Sequence, residues 1–233
     1  MSLRPATARR PAGRAGRRPA CPPAAVDPWR CCQDVSEKKA DIIERTLVLI
    51  KPDAVRRGLI GRILARFEEV GLKVVGLKMT VPSPEFAARH YPNTPDWIEG
   101  MGRKTLETYR DRGIDPVAEV GTDDPVKIGE MVKGWNVDYL SSGPVVAVVL
   151  EGLHAIATVR KLCGATMPLY ADPGTIRGDY SSTSAVAANQ VKRAVRNLVH
   201  ASSNPEEAAH EIAHWFGPER PCEYRRADEE VLY

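Results

Sequence analysis

The sequence predicts an α+β fold, in which a ferredoxin-like split βαβ arrangement gives a four-stranded antiparallel sheet with helices on one face. Short apolar runs and segments of helical period follow one another as βαβ, a long polar stretch, and βαβ again. With 233 residues, of which 43% are apolar, the chain is long enough to bury such a core without disulfides or metal ions. Each element also has a local signal.

The first βαβ unit contains two strands joined by one helix. Residues 46–50 are apolar and partly β-branched, and the strand stops at Pro52 because proline cannot donate to a ladder. Apolar residues at helical spacing occupy 60–70, and Gly71 ends that helix. The apolar content of residues 72–81 predicts the second strand.

The connection between the two units is long and polar. A short helix is expected over residues 84–91, with Ser83 as its N-cap. Residues 93–141 are expected to be helical in pieces, with Trp97 and Trp135 as isolated apolar anchors. We interpret this stretch as a helical insertion.

The second βαβ unit opens with the most apolar run of the chain. Residues 144–150 form this run, which is typical of a central strand. The elements predicted after it are a helix over 153–163, a loop over 164–195, a strand over 196–201 and an amphipathic helix over 205–216.

The N-terminal segment differs in composition from the rest. Residues 1–40 carry nine Lys and Arg against three Asp and Glu, and they are rich in Pro and Ala. Such a segment has little to bury, so we expect a disordered tail preceding a domain over 41–233. It could be a solvated extension, a nucleic-acid tether or a transit peptide, although its single Ser before Ser36 argues against the last.

Several classes of protein are disfavoured by what the sequence lacks. It has no apolar run of 18 residues and no apolar signal-peptide core, so neither a membrane span nor secretion is expected. Its five cysteines form no CxxC pair, which favours reduced thiols and a cytoplasmic location. No P-loop, GxGxxG, HExxH or GxSxG motif occurs. The three phenylalanines lie at predicted helices, which disfavours an RNA-binding sheet.

Polar residues near the ends of the predicted strands indicate an anion-binding site. Lys51 follows the first strand, Arg160 lies in a helix, and Arg177 is followed by Gly178. Lysine supplies a point charge and arginine a bidentate fork, and both suit phosphate oxygens. Nearby glycine lets the backbone approach an anion closely.

One histidine has the surroundings of a nucleophile. His200 lies in the last predicted strand, and a neutral imidazole is a competent nucleophile near physiological pH. Glu211, in the following helix, is the candidate to bind the other ring nitrogen and fix the tautomer. The remaining histidines, His90, His154, His210 and His214, are interpreted as structural or exposed.

Five motifs resemble those of nucleoside diphosphate kinases. They are RTLVLIKPD at 45–53, RGLIG at 57–61, SGP at 142–144, PGTIRGD at 173–179 and NLVHAS at 197–202. They occur in the order found in that family, and the resemblance covers about residues 44–218.

The resemblance implies a ping-pong phosphoryl transfer from ATP or another nucleoside triphosphate to a diphosphate, with Mg²⁺ as cofactor. His200 would be the phosphorylated residue, Glu211 its orienting partner, and Ser202 part of the same site. The residues implied in holding phosphates and ribose are Lys51, Arg160, Thr166, Arg177 and Asn197, with Tyr91 helping to place Lys51 and the phosphates. Mg²⁺ would sit mainly on nucleotide phosphates, without a dedicated protein ligand. A homo-oligomer is also implied, and no membrane partner.

The sequence departs from the family in four places. Ser203 stands where the family usually has Asp. The insertion at about 93–141 lengthens the segment that carries the base-clamping helices, and Val132 or Trp135 takes the place of the usual aromatic. The loop over 181–195, which supports subunit contacts in the family, is also extended.

Two other functions are compatible with this sequence. The fold could be a non-catalytic binding module whose basic tail contacts nucleic acid. It could also be a regulated enzyme in which the insertion gates the site.

Overall fold

The sheet has the strand order β2-β3-β1-β4. A computed structural model describes residues 42–219 and 221–232, so the predicted N-terminal tail lies outside the described residues. The strands are β1 (Ile43–Ile50), β2 (Lys73–Thr80), β3 (Val145–Leu153) and β4 (Val199–Ala201), and every pairing is antiparallel. The predicted α+β class and four-stranded antiparallel sheet are confirmed.

Helices cover both faces of this sheet, so the prediction of helices on one face is wrong. The described helices are α1 (Pro52–Arg56), α2 (Ile60–Glu68), α3 (Pro84–His90), α4 (Pro95–Asp111), α5 (Pro116–Val120), α6 (Pro125–Ser141), α7 (Ala155–Cys163), α8 (Ile176–Tyr180), α9 (Ala185–Asn189), α10 (Pro205–Phe216) and α11 (Glu229–Leu232). Successive β1 side chains point to opposite faces. Val48 and Ile50 therefore pack in one cluster with Phe67, while Leu47 packs in another with Trp215.

Proline and short polar residues set where many of these helices begin. Proline occupies the first turn of α1, α3, α4, α5, α6 and α10, where its missing N–H costs no intrahelical bond. Ser83 caps α3 by accepting from the Phe86 N–H, as the sequence predicts, and Asn204 caps α10 in the same way.

The insertion consists mainly of α4 and α6, which pack together closely. Gly102 and Gly129 lie at their contact, where a Cβ atom would collide with the backbone of Pro125 and Ile98, respectively. Because these two positions have no side chain, the helices can approach closely there. The Gly102 side of α4 therefore faces α6, and the opposite side of α4 is turned away from it.

One predicted boundary is wrong, and one predicted loop also contains short helices. β4 begins at Val199 instead of residue 196, because Leu198 adopts a left-handed conformation (φ 69°) that interrupts the extended chain. The N–H of Leu198 donates to Asp53 Oδ2 (3.3 Å), and its carbonyl accepts from the Lys51 N–H (2.8 Å). The stretch 164–195, predicted mainly as loop, contains a 3₁₀ turn at Pro168–Tyr170 as well as α8 and α9.

The C-terminal segment runs along part of edge strand β2. The Cys222 N–H donates to Val75 O (2.6 Å), Tyr224 Oη to Val74 O (3.0 Å), and Arg226 Nη1 to Leu72 O (2.9 Å). These bonds satisfy the carbonyl groups of Leu72, Val74 and Val75, which lie at the start of this edge strand and would otherwise be unpaired. In the part of the chain that the structure describes, no helix has the length and apolar character needed to cross a bilayer.

Candidate active site

A cleft of about 600 Å³ lies where β1 ends and the antiparallel strand β4 begins. All nine side chains predicted for the site meet at this place. Seven of them line the cleft: Lys51, Tyr91, Arg160, Thr166, Arg177, Asn197 and His200. The other two, Ser202 and Glu211, lie behind His200 and reach it through hydrogen bonds.

His200 presents one ring nitrogen for chemistry. It pairs with Leu49 in the sheet, and its side chain is 21% exposed. Nε2 lies 2.7 Å from Glu211 Oε1, so this bond occupies Nε2 and leaves Nδ1 as the nitrogen for a reacting group. Burial, and then the positive charge of Lys51, hold the pKa of His200 far below its usual 6.5. The imidazole is therefore neutral and nucleophilic at physiological pH.

Glu211 is held on both of its oxygens. It comes from α10, is 3% exposed, and accepts from Ser202 Oγ on Oε2 (2.6 Å) while Oε1 binds the histidine. Burial raises its pKa. Ser202 in turn accepts the Leu47 N–H (3.3 Å), which directs its own hydrogen to Glu211. The carboxylate is thus positioned to hold the histidine tautomer with Nε2–H.

His90 also belongs to this group, which the sequence reasoning missed. Its ring meets that of His200 edge-on, with centroids 4.5 Å apart, and its Nδ1 accepts from Trp215 Nε1 (3.3 Å). Burial lowers the pKa of His90 well below 6.5, so it is a neutral wall beside the nucleophile. The available signal was its position immediately before Tyr91.

Two of the cations are anchored by the chain that surrounds them. Lys51 Nζ donates to Asn197 Oδ1 (2.8 Å), and Asn197 Nδ2 donates to Thr166 O (3.0 Å). Burial, and then Arg177, lower the pKa of Lys51 to about 8. The guanidinium of Arg177 donates to the carbonyls of Gly164 (2.7 Å), Asn197 (3.1 Å) and Val199 (2.7 Å). Arg177 therefore connects the segments around Gly164 and Asn197 to β4, and it also contributes positive charge to the cleft.

Arg160 faces the position where the sequence departs from the family motif. Its Nη1 donates to Ser203 Oγ (3.2 Å). A hydroxyl accepts this bond without neutralising the guanidinium, whereas an aspartate would. The serine therefore leaves more positive charge directed at the cleft.

The insertion supplies the opposite wall. Cleft-lining side chains of α4 are Trp97, Met101, Lys104, Thr105 and Thr108. From α6 both Val132 and Trp135 reach the cleft, so each alternative for the aromatic position lies at this wall. Trp97 also approaches Tyr91, with ring centroids 6.3 Å apart. Apart from Trp97, the sequence reasoning did not single out these α4 residues.

Comparison with known proteins agrees with this geometry. The family model described as nucleoside diphosphate kinase matches residues 44–96 and 133–220. The nucleoside diphosphate kinase of Pyrobaculum aerophilum is 51% identical over 181 residues, which is 78% of this chain and 99% of the relative. This chain belongs to the nucleoside diphosphate kinase family.

Solved structures place the fold in the same family. A crystal structure of an NDP kinase from Pyrobaculum aerophilum has a TM-score of 0.76 and 50% identity, and it covers 78% of this chain and all of that one. The nucleoside diphosphate kinase of Borrelia burgdorferi, solved as a transition state mimic with vanadate and ADP, has a TM-score of 0.62 and 37% identity. That match covers 81% of this chain and 96% of the other.

The nucleoside diphosphate kinase match omits part of the cleft. Residues 97–132 fall between its two segments. The cleft-facing side of α4 therefore has no counterpart in the pattern that defines the family.

Proposed function

We propose that this chain transfers the γ-phosphate of a nucleoside triphosphate, principally ATP, to a nucleoside diphosphate through a phosphohistidine at His200. One observation carries the proposal. A neutral imidazole, bonded by Nε2 to a buried carboxylate, lies at a cleft lined by Lys51, Arg160 and Arg177. This arrangement suits in-line attack on an anionic phosphoryl group.

The reaction divides into two half-reactions that balance without a net proton. The lone pair of His200 Nδ1 forms a bond to the γ-phosphorus as the bond to the β,γ-bridging oxygen breaks, and the diphosphate leaves. A terminal oxygen of a second diphosphate then attacks the same phosphorus, and the P–N bond breaks. Glu211 holds Nε2–H throughout and stabilises the positive charge that the ring acquires.

The cations act on the charge of the phosphoryl group. Lys51, Arg160 and Arg177 offset negative charge on its oxygens, with Lys51 held in place through Asn197. Thr166 and Tyr91 line the same cleft and would contact phosphate or ribose oxygens. Because these groups are positioned before the substrate binds, little reorganisation is needed during the reaction.

We propose Mg²⁺ as the cofactor, carried by the nucleotide. The described lining of the cleft contains no carboxylate. The group His90, His200 and Glu211, whose ligand atoms lie within 4.8 Å of one another, offers two nitrogens for one oxygen. Mg²⁺ prefers oxygen ligands and retains water, so the protein residues here would leave it to be held by the phosphates of the nucleotide and by water. The ion would then offset part of the negative charge of those phosphates.

We also propose that the chain forms homo-oligomers. Beyond the part of β2 that the C-terminal segment follows, Leu77 and Met79 are 54% and 57% exposed on the same face of this edge strand, and Val81 follows. Exposed apolar side chains on an open edge favour pairing with a second copy. Analytical ultracentrifugation measures the state directly. A cytoplasmic location is proposed from the free thiols of Cys163 and Cys222.

The test is to label the protein with [γ-³²P]ATP, map the label and chase it with GDP. We expect acid-labile, alkali-stable label on His200 that moves to GTP. His200→Ala should abolish both steps, while His210→Ala, an exposed histidine on α10, should leave them unchanged. Label on another residue, or transfer by His200→Ala, would overturn the proposal. Salt-dependent retention of nucleic acid without any label would instead favour a binding module.

A further inference from the structure

One face of α4 forms a wall of the nucleotide cleft. Its cleft-lining residues are spaced four, three, one and three positions apart, from Trp97 through Lys104 to Thr108, which places them on one side of the helix. A rise of 1.5 Å per residue puts Lys104 about 10 Å along the helix from Trp97. Trp97 is the residue of α4 that lies beside Tyr91, and Lys104 is set apart from it along the helix.

Lys104 has no ion-pair partner among the described residues. The preceding residue, Arg103, is paired with Glu99 on its own helix. Lys104 Nζ makes no such contact within the described chain, and the described lining of the cleft offers it no carboxylate. An ammonium group that carries three donors and faces a cleft without acidic side chains is suited to a ligand with acceptor atoms.

A second polar group approaches the same wall from the extended loop. α9 packs against α4, and its last residue, Asn189, lines the cleft while being only 7% exposed. Its side-chain amide has no hydrogen-bond partner among the described residues. Its amide atoms keep access to the cleft, so they are available to donate to or accept from a ligand that binds there.

We propose that Lys104 and Asn189 form a base-reading subsite that prefers guanine over adenine. Guanine presents two adjacent acceptors, O6 and N7, whereas adenine presents the N6 amino group beside N7. A lysine can only donate, so it binds the guanine edge and meets a competing donor on adenine. Trp97 and Trp135 give the subsite aromatic surface suited to a purine ring.

This inference rests on the proposed function, and its test uses the second half-reaction. The phosphoenzyme is formed with ATP, separated from nucleotide, and mixed with GDP, IDP or ADP under single-turnover conditions. We expect GDP and IDP, which share the O6 acceptor, to be phosphorylated with kcat/KM at least about 5-fold above ADP. Lys104→Met should reduce that ratio to near one, mainly by slowing GDP and IDP.

Two further variants make the outcome decisive. Asn189→Ala should lower the GDP-to-ADP ratio as well, while Lys127→Met, the same change at an exposed position of α6, should leave it unchanged. Equal use of GDP and ADP by the unmodified chain would overturn the subsite. So would a Lys104→Met variant that slows all three diphosphates equally, because the charge would then act on phosphates. Failure to form any phosphoenzyme would instead refute the proposed function itself.

Discussion

Replacing Glu211 by glutamine should reverse the tautomer of the nucleophilic histidine. Ser202 is fully buried, and its oxygen accepts the Leu47 N–H while its hydrogen goes to Glu211 Oε2. In Glu211→Gln the amide oxygen would take the place beside Ser202, because turning the hydroxyl elsewhere leaves a buried hydrogen without an acceptor. The amide NH₂ then faces His200 Nε2 and donates to it, which moves the ring hydrogen to Nδ1.

The size of the effect can be bounded from these bonds. Losing a charge-assisted hydrogen bond to a buried group costs about 2 kcal/mol, or about 30-fold in rate. In hydrolytic triads, replacing the carboxylate behind the catalytic imidazole by an amide lowers kcat about 10⁴-fold, because the imidazole is then held in the wrong tautomer. We therefore expect Glu211→Gln to slow phosphoenzyme formation by about 10³-fold. Stability should change little, since burial already disfavours the charged form of this carboxyl, whose pKa is raised.

The assay is the single-turnover rate of acid-labile labelling by [γ-³²P]ATP, with urea denaturation as the control for folding. Adding Ser202→Ala to Glu211→Gln frees the amide to turn its oxygen toward His200. The double variant should therefore label faster than Glu211→Gln alone. A rate for Glu211→Gln within 3-fold of the unmodified chain, roughly 0.7 kcal/mol, would refute the tautomer argument. So would a double variant that is no faster than the single one.

Two other predictions concern the cations. Because burial and Arg177 lower the pKa of Lys51 to about 8, this side chain is charged below that pH and loses its charge above it. The value of kcat/KM should therefore fall as the pH rises above about 8. In Lys51→Arg this fall should move to higher pH, because arginine keeps its charge. A fall at the same pH in the variant would mean that another group causes it. Arg177→Ala removes hydrogen bonds to three backbone carbonyls, of which, among the described residues, only that of Asn197 keeps another donor, the Val199 N–H, and it should lower the free energy of unfolding by about 3 kcal/mol in urea. Arg160→Ala, at an exposed cleft residue, should slow labelling with little loss of stability, so equal destabilisation by both variants would contradict the structural role of Arg177.

Much of the sheet and of the chemical group could be predicted from the sequence because their signals are local. The strand at Val145–Leu153 is a continuous apolar run, and α10 has a clear helical period. His200 and Glu211 lie 11 residues apart on consecutive elements, so their meeting depends on one short connection.

Contacts between distant segments could not be predicted in the same way. His90 reaches His200 from α3, 110 positions earlier, and nothing in either local pattern specifies that approach. The cleft-facing side of α4 mixes tryptophan, methionine, lysine and threonine, so the helical period of this segment does not indicate that this side meets a ligand. Which side of α4 faces the cleft follows from its packing on α6 at Gly102 and Gly129, and that is a tertiary property.

The left-handed residue ahead of β4 also determines which side chains can act together. In a regular strand, Asn197 and His200 would project to opposite faces, since they are an odd number of residues apart. The positive φ of Leu198 breaks that alternation, and both side chains line one cleft. Assigning side chains to the two faces of a strand by simple alternation therefore misses pairs of residues that share a site whenever a residue with positive φ lies between them. Here that residue is a fully buried leucine.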